Sequence, residues 1–264
     1  MDGDARALTS LVPQRILYWL DPAGALPARI EGRPRGQDRL GGVGLDQGAL
    51  TSATGRHSRR EETLNCLTHG LGVVLASAGL AVLAVVASRN GTVATVVGCV
   101  AFGVTLVFLY AASTLYHAVP HPRAKAGLRA LDHSAIFLLI AGTYTPFTLV
   151  SLRGPWGWSL FGVVWGIAVT GIALRLALRR RPTALFVALY LAMGWCVVVA
   201  AKPLLAAVAP GGIALLAAGG LAYSGGVAFY LWRRLPYHHA IWHTFVLVGS
   251  AFHYAAVLRY VALA

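Results

Sequence analysis

Acidic side chains are almost absent from most of this sequence. Beyond Glu62 the chain carries one further carboxylate side chain, Asp132, and charged residues account for 12% of the whole. Soluble domains contain about 25% charged residues, so the composition excludes an ordinary soluble globular protein. Because 57% of the 264 residues are hydrophobic, the sequence predicts a polytopic membrane protein.

Cysteine is scarce, and lysine is missing from the last apolar stretch. Cys66, Cys99 and Cys196 lie far apart in apolar segments and form no CxxC pair. This pattern indicates neither a thiolate metal site nor a disulfide framework. The missing lysine excludes a retinal protein, because a retinal Schiff base would need a lysine in that segment.

The basic residues outnumber the acidic ones, and the formal net charge is +13. In a soluble protein this excess would suggest a nucleic-acid partner. Here the basic residues lie between apolar segments, so we expect no nucleic-acid binding and interpret them as determinants of membrane topology that contact anionic lipid. Membrane lipids are therefore the expected partners, and the sequence leaves the oligomeric state open.

The first 60 residues differ from the rest of the chain. They are rich in Gly, Pro, Arg and Asp and show no sustained hydrophobic period. We interpret residues 1–60 as a disordered extension or an over-called start site. Residues 61–264 are predicted to form the membrane domain.

Seven apolar segments of about 20 residues, the length that crosses a bilayer as a helix, follow this extension. Their limits are 65–88, 92–118, 131–151, 155–176, 183–207, 211–232 and 239–261. The predicted fold is an all-α integral membrane protein, a seven-transmembrane helix bundle.

Basic residues are divided unevenly between the two sides of this bundle. Four lie on the side opposite the N-terminus, namely Arg89, Arg153, Lys202 and Arg259. The positive-inside rule therefore places the N-terminus in the cytoplasm and the C-terminus outside. The basic residues on the predicted cytoplasmic side are Arg56, Arg59, Arg60, Arg123, Lys125, Arg129, Arg175, Arg179, Arg180, Arg181, Arg233 and Arg234.

Ionisable residues from three segments are predicted to reach one depth near the cytoplasmic face. His117 closes the second segment, Asp132 opens the third, and His239 and His243 open the seventh. Ionisable groups at membrane depth are costly and are candidates for function. This convergence follows from the charge distribution and the segment limits alone.

The spacing of the histidines favours a metal site. His239 and His243 are four residues apart, so on a helix their side chains stack on one face about 6 Å apart. With His117 they would supply three imidazoles, the donor set of many catalytic zinc sites. Asp132 could hold or deprotonate a metal-bound water, or orient a ligand. Ser113 lies one helical turn before His117 and could hydrogen-bond within the site.

Other interpretations of these polar residues remain open. Interfacial histidines are common without a metal, and Asp132 could be the N-cap of the third helix. Glu62, Asn65 and His69 share one helical face; Glu62 fits ordinary dipole compensation, and structural support is favoured over metal ligation for all three.

Four motifs together resemble a known family. "ETLNCLTHG" begins at Glu62, "STLYH" at Ser113, "LDHSAIFLLIAGTYTPF" at Leu131 and "HAIWHTFVLVGSAFHY" at His239. In this order on seven segments they resemble the hemolysin III family, the bacterial branch of the progestin and adipoQ receptor family, which includes the adiponectin receptors. The resemblance covers residues 59–262.

The resemblance implies a seven-helix bundle of the bacterial plasma membrane with zinc near the cytoplasmic leaflet. The zinc ligands of the family carry over to His117, His239 and His243. Its aspartate, which contacts zinc through water, carries over to Asp132, and the serine of its SxxxH motif to Ser113. The wider superfamily includes alkaline ceramidases, so the implied chemistry is hydrolysis of a lipid amide.

Two functional hypotheses follow from different classes. The first is an intramembrane zinc hydrolase with Asp132 as general base and an acyl lipid as substrate. The second is a non-enzymatic protein with structural zinc that senses the membrane, acts as a receptor, or alters permeability in the manner of a haemolysin. Imidazole ligands alone do not separate zinc from iron or nickel.

Overall fold

A computed structural model describes residues 58–178 and 181–264, and seven long apolar helices make up most of this part of the chain. The described residues contain no strand, so the predicted seven-helix membrane bundle is confirmed. Residues 1–57 of the predicted N-terminal extension lie outside the described residues, and the orientation of the bundle stays a prediction. The helices are α1 (Arg59–Asn90), α2 (Val93–Ala118), α3 (Pro122–Ser151), α4 (Gly154–Ala177), α5 (Thr183–Ala207), α6 (Pro210–Leu231) and α7 (His238–Ala262).

Helix α1 begins earlier than the apolar run suggests because its N-terminus is capped. The hydroxyl of Ser58 accepts a hydrogen bond from the Glu61 amide at 3.2 Å, and the Glu61 carboxylate accepts one from the Ser58 amide at 2.8 Å. This reciprocal arrangement satisfies amide groups that a free helix end leaves unpaired. Glu62 therefore lies inside the first turn of α1.

Helix α3 begins at Pro122 and not near residue 131. A proline fits the first turn, where its missing N–H leaves no bond unmade, and the His121 ring accepts a hydrogen bond from the Ala124 amide. The residues that follow are mainly Ala, Leu, Lys and Arg, which favour helix. Asp132 consequently lies in a helix interior, and the alternative that it caps the third helix is wrong.

Proline also changes the course of α3 near its other end. Pro146 has no N–H to donate and is followed by a π-helical turn, Phe147–Ser151. The Leu152 amide closes this turn by donating to the Phe147 carbonyl at 2.8 Å. The span continues past the proline because wider hydrogen bonds replace the regular ones.

Helix α5 crosses the membrane as one span although Lys202 and Pro203 interrupt its apolar sequence. A 3₁₀ segment, Cys196–Ala200, precedes the proline. The hydroxyl of Tyr144 donates to the Gly194 carbonyl at 2.7 Å and accepts from the Val197 amide at 3.0 Å. A side chain of α3 thus satisfies backbone groups that lipid could not satisfy.

The packing of the helices brings four helix ends together. Helix α2 lies between α1 and α3, and α1 also packs against α7. The approach of α2 to α3 is close: a Cβ atom on Gly98 would lie 2.8 Å from the Cα atom of Pro146. The beginnings of α1, α3 and α7 and the end of α2 therefore meet at one side of the bundle.

Candidate metal centre

Three histidines from two helices converge at this side of the bundle. His117 comes from the last turn of α2, and His239 and His243 come from the first turns of α7. One ligand atom from each lies within 4.8 Å of the other two. The ring centroid of His117 is 5.1 Å from that of each partner, and the two α7 rings are 4.6 Å apart. The predicted convergence of these histidines is present.

Hydrogen bonds on the outer side of the triad fix the rings of His117 and His243. The Nδ1 atom of His117 lies 2.6 Å from a carboxylate oxygen of Glu62. The Nδ1 atom of His243 lies 3.2 Å from the Asn65 carbonyl oxygen and 3.1 Å from the Thr68 hydroxyl. A carboxylate and a carbonyl accept, so Nδ1 carries a proton in each ring, and Nε2 of the neutral ring is the nitrogen left to bind a metal.

The buried Nε2 atom of His117 fits a metal ion. It has no hydrogen-bond partner among the described residues, and a buried acceptor without a partner is costly. Beside it lie one nitrogen each of His239 and His243. Three imidazole nitrogens, two of them on rings whose Nδ1 has an outer partner, form a donor set that suits zinc, and iron or nickel as well.

Asp132 and Ser113 lie beside the triad without belonging to it. Both are buried, and both line a cavity whose wall also includes His239 and His243. A carboxylate oxygen of Asp132 lies 3.3 Å from Nδ1 of His133. Among the described residues the group able to hold a metal comprises the three histidines alone. Asp132 therefore lies outside that group of ligand atoms, and its predicted contact with a metal through water stays a prediction.

A second polar cluster, Asn65 and His69, lies behind the triad on α1. The His69 ring stacks on the His243 ring with centroids 3.5 Å apart and an angle of 11° between the planes. Within the described part of the chain, neither ring nitrogen of His69 nor the side-chain amide of Asn65 has a hydrogen-bond partner. The stack restricts rotation of His243, so His69 contacts the triad by ring packing, and a structural role for this cluster stays a prediction.

Glu62 has a larger role in the geometry than the sequence suggests. Its position near a helix N-terminus indicates only dipole compensation, yet its carboxylate joins His117 to Lys125, whose ammonium group lies 2.9 Å away. One feature of the sequence pointed to this role of Glu62. Glu62 shares a helical face with Asn65 and His69, and that face turns out to be the inner one.

Replacement of Glu62 by glutamine is expected to weaken zinc binding by about 10–100-fold, the usual effect of losing an outer partner of a metal-bound histidine. An amide can accept a hydrogen bond from Nδ1 of His117, but it lacks the negative charge and cannot pair with Lys125. Competition against a zinc chelator of known affinity measures this change in detergent solution.

Glu61→Gln is the matched control, because it removes the same charge one residue away. Glu61 bonds with Ser58 and with the Tyr237 amide, whereas Glu62 bonds with His117. Equal zinc affinity in the Glu61 and Glu62 variants would show that the Glu62 carboxylate does not support the metal.

An apolar cavity of about 300 Å³ extends from His239 and His243 into the bundle. Along α7 its wall runs from His239 to His253, a distance of about 21 Å at the helical rise. At its far end, His253 donates from Nε2 to the Leu216 carbonyl at 3.1 Å. The volume lies at the lower end of the range for ligand pockets, and the narrow apolar shape suits a hydrocarbon chain.

Comparison with known proteins agrees with this architecture. A Hemolysin-3 of Bacillus cereus is 46% identical over 202 residues, which cover 76% of this chain and 92% of the relative. A Hemolysin-3 homolog of Bacillus subtilis (strain 168) is 44% identical over 201 residues, covering 76% and 94%. The human monocyte to macrophage differentiation factor is 29% identical over 211 residues, covering 76% and 84%.

The bacterial relatives and the seven apolar helices identify a multi-pass integral protein of the bacterial plasma membrane. The sequence model of one family, described as Haemolysin-III related, matches residues 57–254. That range includes all seven helices apart from the end of the last, and the whole histidine triad. The chain therefore belongs to the haemolysin-III-related family.

Proposed function

We propose that this protein is a zinc-dependent hydrolase of acyl lipids with ceramidase-like chemistry. One observation carries the proposal: two histidines of the triad, His239 and His243, line one end of an apolar cavity whose wall also presents Asp132 and Ser113. A metal-binding group, a buried carboxylate and a hydroxyl thus surround one end of a space that suits an acyl chain. The distribution of basic residues predicts that this end faces the cytoplasmic leaflet.

The substrate is a lipid whose acyl chain lies in the cavity and whose carbonyl reaches the triad. Pockets for small molecules are mostly apolar with a few polar groups that fix orientation. Here the carboxylate of Asp132 and two of the three candidate metal ligands, His239 and His243, line one end of the cavity, so the scissile bond belongs there. A lipid that enters sideways from the membrane would leave the bilayer without passing through water.

A zinc ion held by His117, His239 and His243 would supply a Lewis acid for the carbonyl and a water that loses its proton near neutral pH. Asp132 acts as general base and takes a proton from the attacking water, whose oxygen forms a bond to the carbonyl carbon. Ser113 donates a hydrogen bond to the carbonyl oxygen as negative charge develops there. Asp132 then returns the proton to the leaving nitrogen, the C–N bond breaks, and a fatty acid and an amine are released.

Removal of the metal tests this proposal. Protein reconstituted in vesicles is expected to release labelled fatty acid from an acyl-amide lipid such as a ceramide. The rate should fall to that of empty vesicles after chelation and return when zinc is restored. Release that persists in the chelated protein would contradict a metal-dependent mechanism, and the absence of release at any zinc concentration would contradict hydrolysis of this lipid class.

A second candidate function is non-enzymatic: a structural zinc that holds α2 and α7 together in a protein that alters membrane permeability. The name Hemolysin-3 carried by two bacterial relatives favours it. On this alternative, dye leakage from vesicles would depend on the protein and would be unchanged in Asp132→Asn.

A further inference from the structure

Arg175 is a buried cation near the end of α4. Its side chain is 5% exposed, its guanidinium carbon lies 4.6 Å from the centroid of the Phe186 ring, and its Nε atom is buried without a hydrogen-bond partner. In residues 58–178 and 181–264 no carboxylate lies within ion-pair distance of it. Arg175 is thus a buried charge that the described residues leave uncompensated.

The surroundings of Arg175 offset only part of the cost of burying its charge. A buried charge normally needs an ionic or hydrogen-bonded partner. The C-terminus of α4 and the face of Phe186 each stabilise the cation to some extent. The positive-inside rule accounts for arginines that reach water or headgroups, but it does not account for an arginine that is covered by protein.

Two tyrosines connect Arg175 with the histidine end of the cavity. Tyr190 and Tyr230 both line the cavity, and each lies within electrostatic range of Arg175 and of Asp132. The Tyr230 ring is 5.9 Å from the ring of His239. Arg175 is not itself part of the cavity wall, but it lies within electrostatic range of these two wall residues, and Val187, the neighbour in sequence of its ring partner Phe186, also lines the cavity.

Positive charge predominates around this end. Arg129 and Arg181 lie within electrostatic range of Arg175, and Arg233 within range of Tyr230. The carboxylate of Glu62 is already engaged by His117 and Lys125. An anion arriving here would meet several guanidinium groups, of which Arg175 alone is already removed from water.

We propose that Arg175 anchors the phosphate of a lipid headgroup whose acyl chain occupies the cavity. A guanidinium group binds phosphate through two parallel hydrogen bonds, and an arginine held in place by its surroundings loses little freedom when it does so. The occupant needs a hydrocarbon chain because the cavity is apolar, and it needs an anion because Arg175 lacks one. The identification of this lipid as the substrate rests on the proposed function. The binding of the lipid at Arg175 is independent of that function.

The experiment compares two lipids that differ by the phosphate alone, phosphatidic acid and the diacylglycerol with the same chains. Native mass spectrometry in neutral detergent measures how much of each lipid the protein retains. Wild-type protein is expected to bind phosphatidic acid at least about tenfold more tightly, and Arg175→Gln should reduce this preference to about twofold or less. Arg123→Gln, which removes the same charge from an exposed site at the start of α3, should keep the full preference.

If Arg175→Gln does not fold, Arg175→Lys replaces it in the experiment. Lysine keeps the positive charge but cannot form two parallel hydrogen bonds to a phosphate. The preference of this variant should fall by at least about threefold. An unchanged preference in both Arg175 variants would overturn the proposal, as would displacement of phosphatidic acid by millimolar inorganic phosphate, which would mark a site for free phosphate. This binding experiment is independent of hydrolysis. Protein that binds phosphatidic acid through Arg175 but releases no fatty acid in the vesicle assay would contradict only the proposed function.

Discussion

Replacement of His243 by alanine is expected to remove zinc from a protein that otherwise carries about one ion per chain. Loss of one of three ligands should exceed the roughly 10–100-fold effect of losing an outer partner. The two imidazoles that remain, His117 and His239, lie on different helices with ring centroids 5.1 Å apart. Mass spectrometric metal analysis of protein purified without chelators measures the content directly.

His238→Ala is the matched control, because it removes an imidazole from the same end of α7. The Nδ1 atom of His238 lies 3.2 Å from the Phe229 carbonyl, and the residue is outside the metal-binding group. Removal of the His243 ring also removes the ring that stacks on His69, so this variant loses packing as well as a ligand. His239→Ala removes a ligand at a half-buried position and therefore separates the two effects. A zinc content equal to that of wild type in both His239→Ala and His243→Ala would contradict a three-histidine site.

The convergence of the triad could be predicted because it depends on coarse properties of the sequence. Segment lengths and the distribution of basic residues place His117, His239 and His243 at one membrane face, whatever the rotation of each helix. The period of the α-helix adds that His239 and His243 share a side. The structure agrees on both points, with ligand atoms of all three within 4.8 Å.

The beginning of α3 shows why the same reasoning failed locally. Hydropathy marks where a segment enters lipid and does not mark where a helix begins. The stretch from Pro122 to Ala130 is too polar to count as membrane-spanning, yet its residues favour helix and Pro122 suits the first turn. Asp132 therefore lies in the helix interior and lines the cavity, and it does not cap the helix.

The outer partners of the triad could not be predicted, because they depend on how the helices are rotated and tilted. The contact between Glu62 and His117 joins residues that belong to different helices. The contact between His243 and Asn65 uses a backbone carbonyl, and every residue has a carbonyl, so no residue type signals it. The burial of Arg175 could not be predicted either, because nothing in the sequence separates it from the exposed arginines on its side of the bundle.

Replacement of Asp132 by asparagine is expected to lower the rate of lipid hydrolysis by about 10²–10⁴-fold, the usual contribution of a general base, with zinc content unchanged. Asparagine keeps the shape of the side chain and cannot accept the proton. The zinc should stay because the metal-binding group among the described residues consists of His117, His239 and His243. Fatty-acid release and metal content are measured on the same preparation.

Glu61→Gln again serves as control, since it converts an acid to an amide on the same side of the bundle, away from the cavity wall. It should leave both quantities near those of wild type. Loss of zinc together with activity in Asp132→Asn would make the carboxylate a support of the metal and not a base. Retention of both would show that Asp132 is not the general base. The other carboxylate near the triad, that of Glu62, is engaged by His117 and Lys125, and the chain carries no acidic side chain after Asp132, so the described residues offer no free carboxylate to replace it.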